Sequence, residues 1–451
     1  MELQNIKRVY LIGIGGIGMS GLARYFAHLG CIVCGYDKTS TDLTNELHNE
    51  GIQVIFDDRE DWIPLSFQTP DACTLVIYTP AIPKDSMILN FFINKGFELF
   101  KRSQVLGLIS KGMFAIAVAG THGKTTTSCM VAHILKDSGT DCSAFLGGIS
   151  SNYGTNVLYG KNNIVVVEAD EYDRSFLTLH PDIAIITSMD ADHLDIYGDH
   201  EELNKSFRQF ASQIKENGVL IFHEDLPLTT GITYSAHGHA DAKSTNIRIE
   251  HGDFWFDFKN DIISIKDIKL GIAGLHNIEN ATAAIEAALM VGVEPELIKR
   301  ALGSFRGVKR RFEYIVKNDK HIYIDDYAHH PEELRAAITS VKRLYPEKKL
   351  TTIFQPHLYT RTRDFADGFA EVLDMSDELI MLDIYPAREL PIEGVNADMI
   401  LDRMKMLNKR KCGKQEAVDL VRIEKPELLL TVGAGDIDTL VQPLKNALEN
   451  V

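Results

Sequence analysis

The sequence predicts an α/β protein of three domains, each built round a largely parallel sheet. Three observations carry this expectation. Apolar, β-like runs alternate with amphipathic, helix-like segments along all 451 residues, the pattern of βαβ units. The pattern restarts near residues 108 and 312, with no low-complexity linker and no fixed-period repeat. In each block, Gly, Asp, His and Thr cluster just after an apolar run, at the carboxyl end of a strand, where open α/β sheets bind ligands.

Composition narrows the class. Hydrophobic residues make up 45% of the chain and charged residues 24%, as in a water-soluble globular protein. No apolar run approaches the roughly 20 residues of a spanning helix. The N-terminal VYLIGIGGIGM is broken by glycines and lacks a cleavage site, so it does not read as a signal peptide, and the expected location is the cytoplasm. A net charge of -16 argues against broad nucleic-acid binding, which requires a surface that neutralises many phosphates. Six cysteines are too few for a disulfide scaffold. Cys31 and Cys34 have C-x-x-C spacing, but on a strand they point to opposite faces, so both are expected as buried strand cysteines.

The first block has expected strands at 8–12, 31–36 and 74–79. Gly13, Gly15 and Gly18 fit G-x-G-x-x-G after the first strand, and Asp37 follows about 20 residues on, after the second. Alone, this is a dinucleotide-binding fingerprint and suggests a dehydrogenase. The central block would then have no role.

That block opens on a strand, FAIAVA, followed by GTHGKTT at 120–126. Gly120 and Gly123 let the backbone curl with its N–H groups inward, and Lys124 supplies a cation for β/γ-phosphates. The Thr125 hydroxyl can ligate Mg²⁺, and Thr121, His122 and Thr126 complete a phosphate loop for ATP. The full G-x-x-x-x-G-K-[ST] form would want glycine where Val118 stands. A second strand, NIVVVEAD, ends in Glu168, Asp170, Glu171 and Asp173; beside a phosphate loop, Glu168 becomes the metal-side candidate. A third, DIAIITS, leads to His193 among Asp190, Asp192 and Asp195. Magnesium prefers oxygen, so the residues alone leave His193 open between ligand and structural histidine. The block closes on the helical NIENATAAIEAALMVG.

The third block runs through HIYIDDYAHHP, KLTTIFQPHLYTRTRD, ELIMLDIYPARE and ELLLTVGAGDIDTL. In its first segment Pro331 is placed to start a helix.

Taken in order, GIGGIGMSG, GTHGKTTT, EADEYDRSF, DADHLDIYG, GLHNIENA, KRRFE, DDYAHHPEE, QPHLYTRTRD and GAGDI make the chain resemble the Mur ligases of peptidoglycan synthesis over essentially its whole length. Within that family it is most similar to the alanine-adding branch. The resemblance implies a Rossmann-like UDP-sugar domain (1–107), a central P-loop ATPase domain (108–311), and a Rossmann-like domain (312–451) that closes over ATP and brings the amino acid. It implies that ATP phosphorylates the lactyl carboxylate of UDP-N-acetylmuramate and that L-alanine attacks the acyl phosphate, giving amide, ADP and phosphate. The rival within the family is the recycling ligase, which adds a murein tripeptide to the same sugar.

Carried over by motif, the catalytic residues are Lys124, His193, Arg311 and His329, and the Mg²⁺ ligands are Thr125, Glu168 and His193. His276, Asn277 and Asn280 match the adenine side, Arg311 the phosphates and Asp326 the ribose. Gly15, Gly16, Ile17, Gly18, Asp37, Thr79, Ala81 and Asn156 are expected round the UDP-sugar. Tyr327, His329, Arg361 and Arg363 are expected round the amino acid. Two departures qualify the transfer. Lys205 gives no basis for a metal-holding carbamate, and none is expected. Leu358 stands where alanine-adding members often have an arginine, which leaves the alanine carboxylate to Arg361, helped by Arg363. A monomer or weak homodimer is expected.

Overall fold

The computed structural model describes residues 3–190, 197, 199–250, 253–387 and 389–449. The three expected blocks are present as three sheets.

The first contains β1 (Arg8–Ile12), β2 (Ile32–Tyr36), β3 (Gln53–Ile55), β4 (Thr74–Tyr78) and β5 (Leu99–Lys101), in the order β3-β2-β1-β4-β5. All its pairings are parallel. Four of the five β1 residues are buried, because helices cover both faces of such a sheet. Strand order reverses between β1 and β4, opening the crevice that receives ligands in doubly wound folds. The expected strand at 31–36 begins at Ile32, so Cys31 precedes it and is only half-buried, its thiol directed at the Ile6 carbonyl; Cys34 is buried as expected.

The second sheet contains β6 (Phe114–Ala119), β7 (Ser143–Ser150), β8 (Thr155–Leu158), β9 (Ile164–Glu168), β10 (Ile183–Ile186), β11 (Val219–His223), β12 (Ile232–Ser235), β13 (Ala242–Glu250), β14 (Asp253–Lys259) and β15 (Ser264–Leu270). The order is β15-β14-β13-β12-β11-β10-β6-β9-β7-β8. β6 lies between β9 and β10, with Val118 beside Glu168 and Ala119 beside Ile186. The third sheet contains β16 (Glu313–Lys317), β17 (Ile322–Asp326), β18 (Leu350–Phe354), β19 (Glu378–Met381), β20 (Lys409–Lys411) and β21 (Leu428–Val432), in the order β16-β17-β21-β18-β19-β20; only β16 pairs antiparallel.

The chain divides into two compact units. One comprises residues up to 245 with 257–268 and 279–305; the other comprises 246–256, 269–278 and 306 onward. In the first, a single apolar cluster runs from Val9, Leu11, Leu22 and Phe26 into Phe145, Val157 and Val167, so the first two sheets share a core. At about 1.5–3 kcal/mol per large buried side chain, that shared core holds the two sheets together. Polar contacts add to it: Arg24, 7% exposed, donates to Glu46, Glu50 and Asn156, and the His28 and Tyr159 rings stack at 4.0 Å. Among the described residues, no helix is long and apolar enough to cross a membrane.

Candidate active site

The phosphate loop is built by strand register. β6 ends at Ala119, and the helix Lys124–Asp137 starts after four intervening residues. Gly123 caps that helix at φ +78°, and a Cβ there would lie 2.6 Å from Asn280 Oδ1. That oxygen is already held by the Thr127 hydroxyl at 3.1 Å. The loop is tied to the residues following β10: the Thr121 and Ser188 hydroxyls meet at 2.9 Å, and the His122 N–H donates to Ser188 Oγ at 2.7 Å. Asp190 N–H donates to Thr121 Oγ1 at 3.0 Å, and the His122 ring lies 3.4 Å from the Asp190 carboxylate. Thr125 and Thr126 are buried in the first helical turn.

Lys124 sits among carboxylates. Its ammonium donates to Gly120 O at 2.6 Å and to Glu171 Oε1 at 2.9 Å. Burial alone would push the Lys124 pKa down; Glu171, Asp170 and Glu168 together more than offset it and hold it above its ordinary value. Burial pushes Glu171 up and Lys124 pulls it back. With N to O at 2.8 Å and two more carboxylates near, the charged lysine governs the pair. Glu168 Oε2 accepts the Gly147 N–H at 2.9 Å. His193, Asp192 and Asp195 lie outside the described residues. Among the described residues, no group of three His, Cys, Asp or Glu forms a metal cluster. Lys205 is exposed and paired with Glu202 at 2.6 Å.

At the switch point of the first sheet is a cavity of about 830 Å³ lined by Gly13, Gly16, Gly18, Asp37, Thr79 and Ala81 with Tyr36, Asp57, Asp58 and Arg102. It falls within the usual size of small-molecule sites. Gly15 does not line it; its N–H donates to Asp37 Oδ2 at 2.8 Å, so Asp37 braces the glycine loop. Ile17 and Asn156 line a smaller adjoining pocket, of about 160 Å³, together with Gly18, Arg102, Glu168 and Asp170. Asn156 is buried there, its amide bonded to Arg24 and Ile17 O.

Arg102 belongs to both cavities and lies 3.6 Å from the Asp170 carboxylate. A Cβ at Gly18 would collide with its guanidinium, so the glycine makes room for the cation. The sequence reading missed Arg102. A signal existed: it directly follows β5, at the carboxyl end of a strand. Glu171 and Ser188 were missed as loop partners, as was the bond from Thr127 to Asn280, since only folding brings these pairs together.

In the second unit, Asp326 ends β17 and accepts the N–H groups of Phe312 at 2.6 Å and Ala328 at 2.7 Å. Burial is the main reason its pKa rises to about 6, with Arg311 opposing. Both arginine guanidinium groups lie over the Tyr327 ring, Arg310 at 5.2 Å and Arg311 at 4.8 Å, but Arg310 is also bonded to Asp325 at 3.1 Å and Gly433 O at 2.7 Å. His329 Nδ1 is 2.9 Å from Tyr327 O and 3.2 Å from Glu333, and its ring is near those of Tyr327 and His357.

Burial, then Arg311, pushes the His276 pKa down to about 4, so its imidazole is neutral, and among the described residues nothing hydrogen-bonds its Nδ1. Asn277 donates to Ala273 O at 2.6 Å. Arg361 is 9% exposed and lies 3.5 Å from His357 Nδ1, whereas Arg363 is half-exposed and paired with Asp364. Leu358 is buried at φ +69°.

Models of the Mur ligase family match almost end to end: the "Mur ligase family, catalytic domain" at residues 8–113, the "Mur ligase middle domain" at 118–288, and the "Mur ligase, glutamate ligase domain" at 310–435. The chain is 49% identical to the UDP-N-acetylmuramate-L-alanine ligase of Flavobacterium psychrophilum, covering 100% of both chains. It is 49% identical to that of Cytophaga hutchinsonii over 99% of this chain and 97% of the other. Its fold is similar to the crystal structure of the UDP-N-acetylmuramate-alanine ligase of Thermotoga maritima, with a TM-score of 0.83, 27% identity and coverage of 98% and 99%. It is also similar, in fold alone, to a murein peptide ligase of Psychrobacter arcticus, with a TM-score of 0.68, 22% identity and coverage of 99% of each.

Proposed function

The chain belongs to the Mur ligase family, and from that membership we propose how its residues divide the work. The protein is an ATP-dependent ligase that joins L-alanine to UDP-N-acetylmuramate in peptidoglycan synthesis. The observation that carries this is end-to-end identity of nearly half with proteins named as ligases of that activity.

A carboxylate is a poor electrophile, so the lactyl carboxylate must be activated. One of its oxygens attacks the γ-phosphorus of ATP, the bond to the β-phosphate oxygen breaks, and ADP leaves. The neutral amine of L-alanine then attacks the acyl carbon, phosphate departs with the bonding pair, the nitrogen gives up one proton to phosphate or water, and the amide remains. Both steps gather negative charge in one place. In our reading Lys124, beside the loop N–H groups of 120–126, meets the β/γ-phosphates, and Arg102 bridges the sugar cavity and the activated carboxylate. The Thr125 hydroxyl, in the first turn of the helix that follows β6, and the Glu168 carboxylate, at the end of the adjoining β9, are hard oxygen donors, a set that fits Mg²⁺, with His193 assigned as a third ligand. Bound there, the ion would neutralise phosphate charge as a Lewis acid.

Gly16, Gly18, Thr79 and Ala81 are assigned to the UDP-sugar, with Asp37 bracing Gly15, and Ile17 and Asn156 at the smaller pocket. His276, Asn277 and Asn280 are assigned to the adenine; the partnerless Nδ1 of His276 supports this. We assign Asp326 to the ribose, Arg311 to phosphate, and Tyr327, His329 and Arg361 to the amino acid. Arg363 plays a lesser part. These assignments go with functional domains at 1–107, 108–311 and 312–451, a cytoplasmic location, and a monomer or weak dimer.

A substrate panel tests the reading. Phosphate release from ATP should require UDP-N-acetylmuramate and L-alanine together. Release driven by a murein tripeptide, with L-alanine inert, would move the protein to the recycling branch.

A further inference from the structure

Glu171 has no part in the roles above, yet its side chain is 1% exposed, and it holds the residue on which those roles centre. Lys124 Nζ lies 2.9 Å from Glu171 Oε1 and 2.8 Å from Oε2, 2.6 Å from Gly120 O and 3.4 Å from Thr121 O. An ammonium has three N–H donors, and these three groups occupy them. The phosphate-binding lysine is therefore folded back onto its own loop. Its partner is held firmly: the Tyr197 hydroxyl donates to Glu171 O at 2.6 Å, Arg174 N–H donates to the same oxygen at 2.9 Å, and Phe176 N–H donates to Asp170 O at 2.9 Å.

We propose that Glu171 is a positioning residue for Lys124. Its carboxylate stands in for phosphate oxygens while the loop is empty and yields the ammonium when ATP arrives. This rests on the reading that Lys124 binds the nucleotide phosphates. A buried ammonium left without a counter-charge is strongly destabilising. Exchanging one anion for another keeps the site balanced throughout, so the loop can empty after each turnover without losing its shape. The exchange has a cost: apparent nucleotide affinity falls by the fraction of time that Lys124 is free to bind. A lysine held by Glu171 about nine-tenths of the time weakens ADP about tenfold.

The test is calorimetric titration with ADP, without metal, of the full chain and two variants. Glu171→Gln keeps the size and removes the charge; its ADP Kd should fall about tenfold, and the KM for ATP should fall with it while the KM for UDP-N-acetylmuramate stays put. Glu171→Asp keeps the charge but draws it back by one methylene, so its ADP Kd should lie between those of the wild type and Glu171→Gln. A merely structural role for Glu171 would weaken ADP or leave it unchanged, and either result overturns the proposal. If Glu171→Gln does not fold, the order of Glu171→Asp against wild type decides alone: tighter supports, equal or weaker overturns. Lys124→Met separates this proposal from its premise. Should Lys124→Met bind ADP as well as wild type, the reading of the loop itself fails.

Discussion

Asp326 ties burial, ionisation and stability together in one side chain. It is 7% exposed and accepts two backbone N–H groups, and burial lifts its pKa from 3.8 to about 6 despite Arg311. A carboxyl with a raised folded pKa holds its proton more tightly folded than unfolded. Its ionisation therefore opposes folding: the penalty is complete above about pH 6 and is relieved as the pH falls toward 4. At 1.36 kcal/mol per unit, a shift of about two units amounts to about 3 kcal/mol. Asp326→Asn keeps the shape, cannot ionise, and weakens the two hydrogen bonds by about 1–2 kcal/mol. The variant should be less stable than wild type at pH 4, by that hydrogen-bond cost, and more stable at pH 8, by about 1–2 kcal/mol. Urea unfolding at both pH values, read by pulsed hydrogen exchange on peptides covering β17, measures the difference locally. A variant-minus-wild-type difference that stays flat from pH 4 to 8 would refute the argument, because the buried carboxylate would then ionise at its ordinary pKa.

His276 behaves in the opposite sense. Its folded pKa is about 4, so the stability linked to its neutral form is complete above pH 6.5 and is lost as the pH falls toward 4, by about 3 kcal/mol. His276→Gln should remove that slope from the second unit's unfolding curve; undiminished acid sensitivity would count against it. Gly123→Ala should lower the melting temperature and cut ADP affinity at least tenfold, since a left-handed alanine costs roughly 1–2 kcal/mol and its Cβ would press on Asn280. An alanine variant that ADP still stabilises normally against heat would contradict this. In steady-state kinetics, Arg361→Ala should raise the KM for L-alanine by about tenfold, whereas Arg363→Ala, losing only an exposed pair with Asp364, should stay within about twofold. The reverse order would reassign the carboxylate contact.

Much of the fold was legible because it depends on near neighbours in the chain. β1, β6, β9, β17 and β18 fall on the apolar runs RVYLI, FAIAVA, IVVVE, IYIDD and LTTIF, and Pro331 starts its helix. The phosphate loop was legible too, since its glycines, lysine and threonines are consecutive. Other parts of the site were not. The run EADEYD offers four carboxylates without saying which meets Lys124. The turn at Tyr172–Thr178 folds Glu171 back to it, and register sets Glu168 beside Val118. The bonds that hold the Asn156 amide, to Arg24 and Ile17, were not legible either, since the arginine pairing spans 132 residues. Leu358 read as a missing arginine; in the structure it is a buried apolar side chain at a left-handed backbone position.

By itself, then, the sequence determined the α/β class, the family and the chemistry of the central loop, because hydrophobic period, turn residues and a contiguous phosphate motif act over a few residues. Tertiary structure decided which charge answers which: Glu171 for Lys124, Asp170 for Arg102, Asp325 for Arg310 but not Arg311. Electrostatic partnership depends on distance and burial, and both are set by strand order and register, which bring together residues that no local pattern connects.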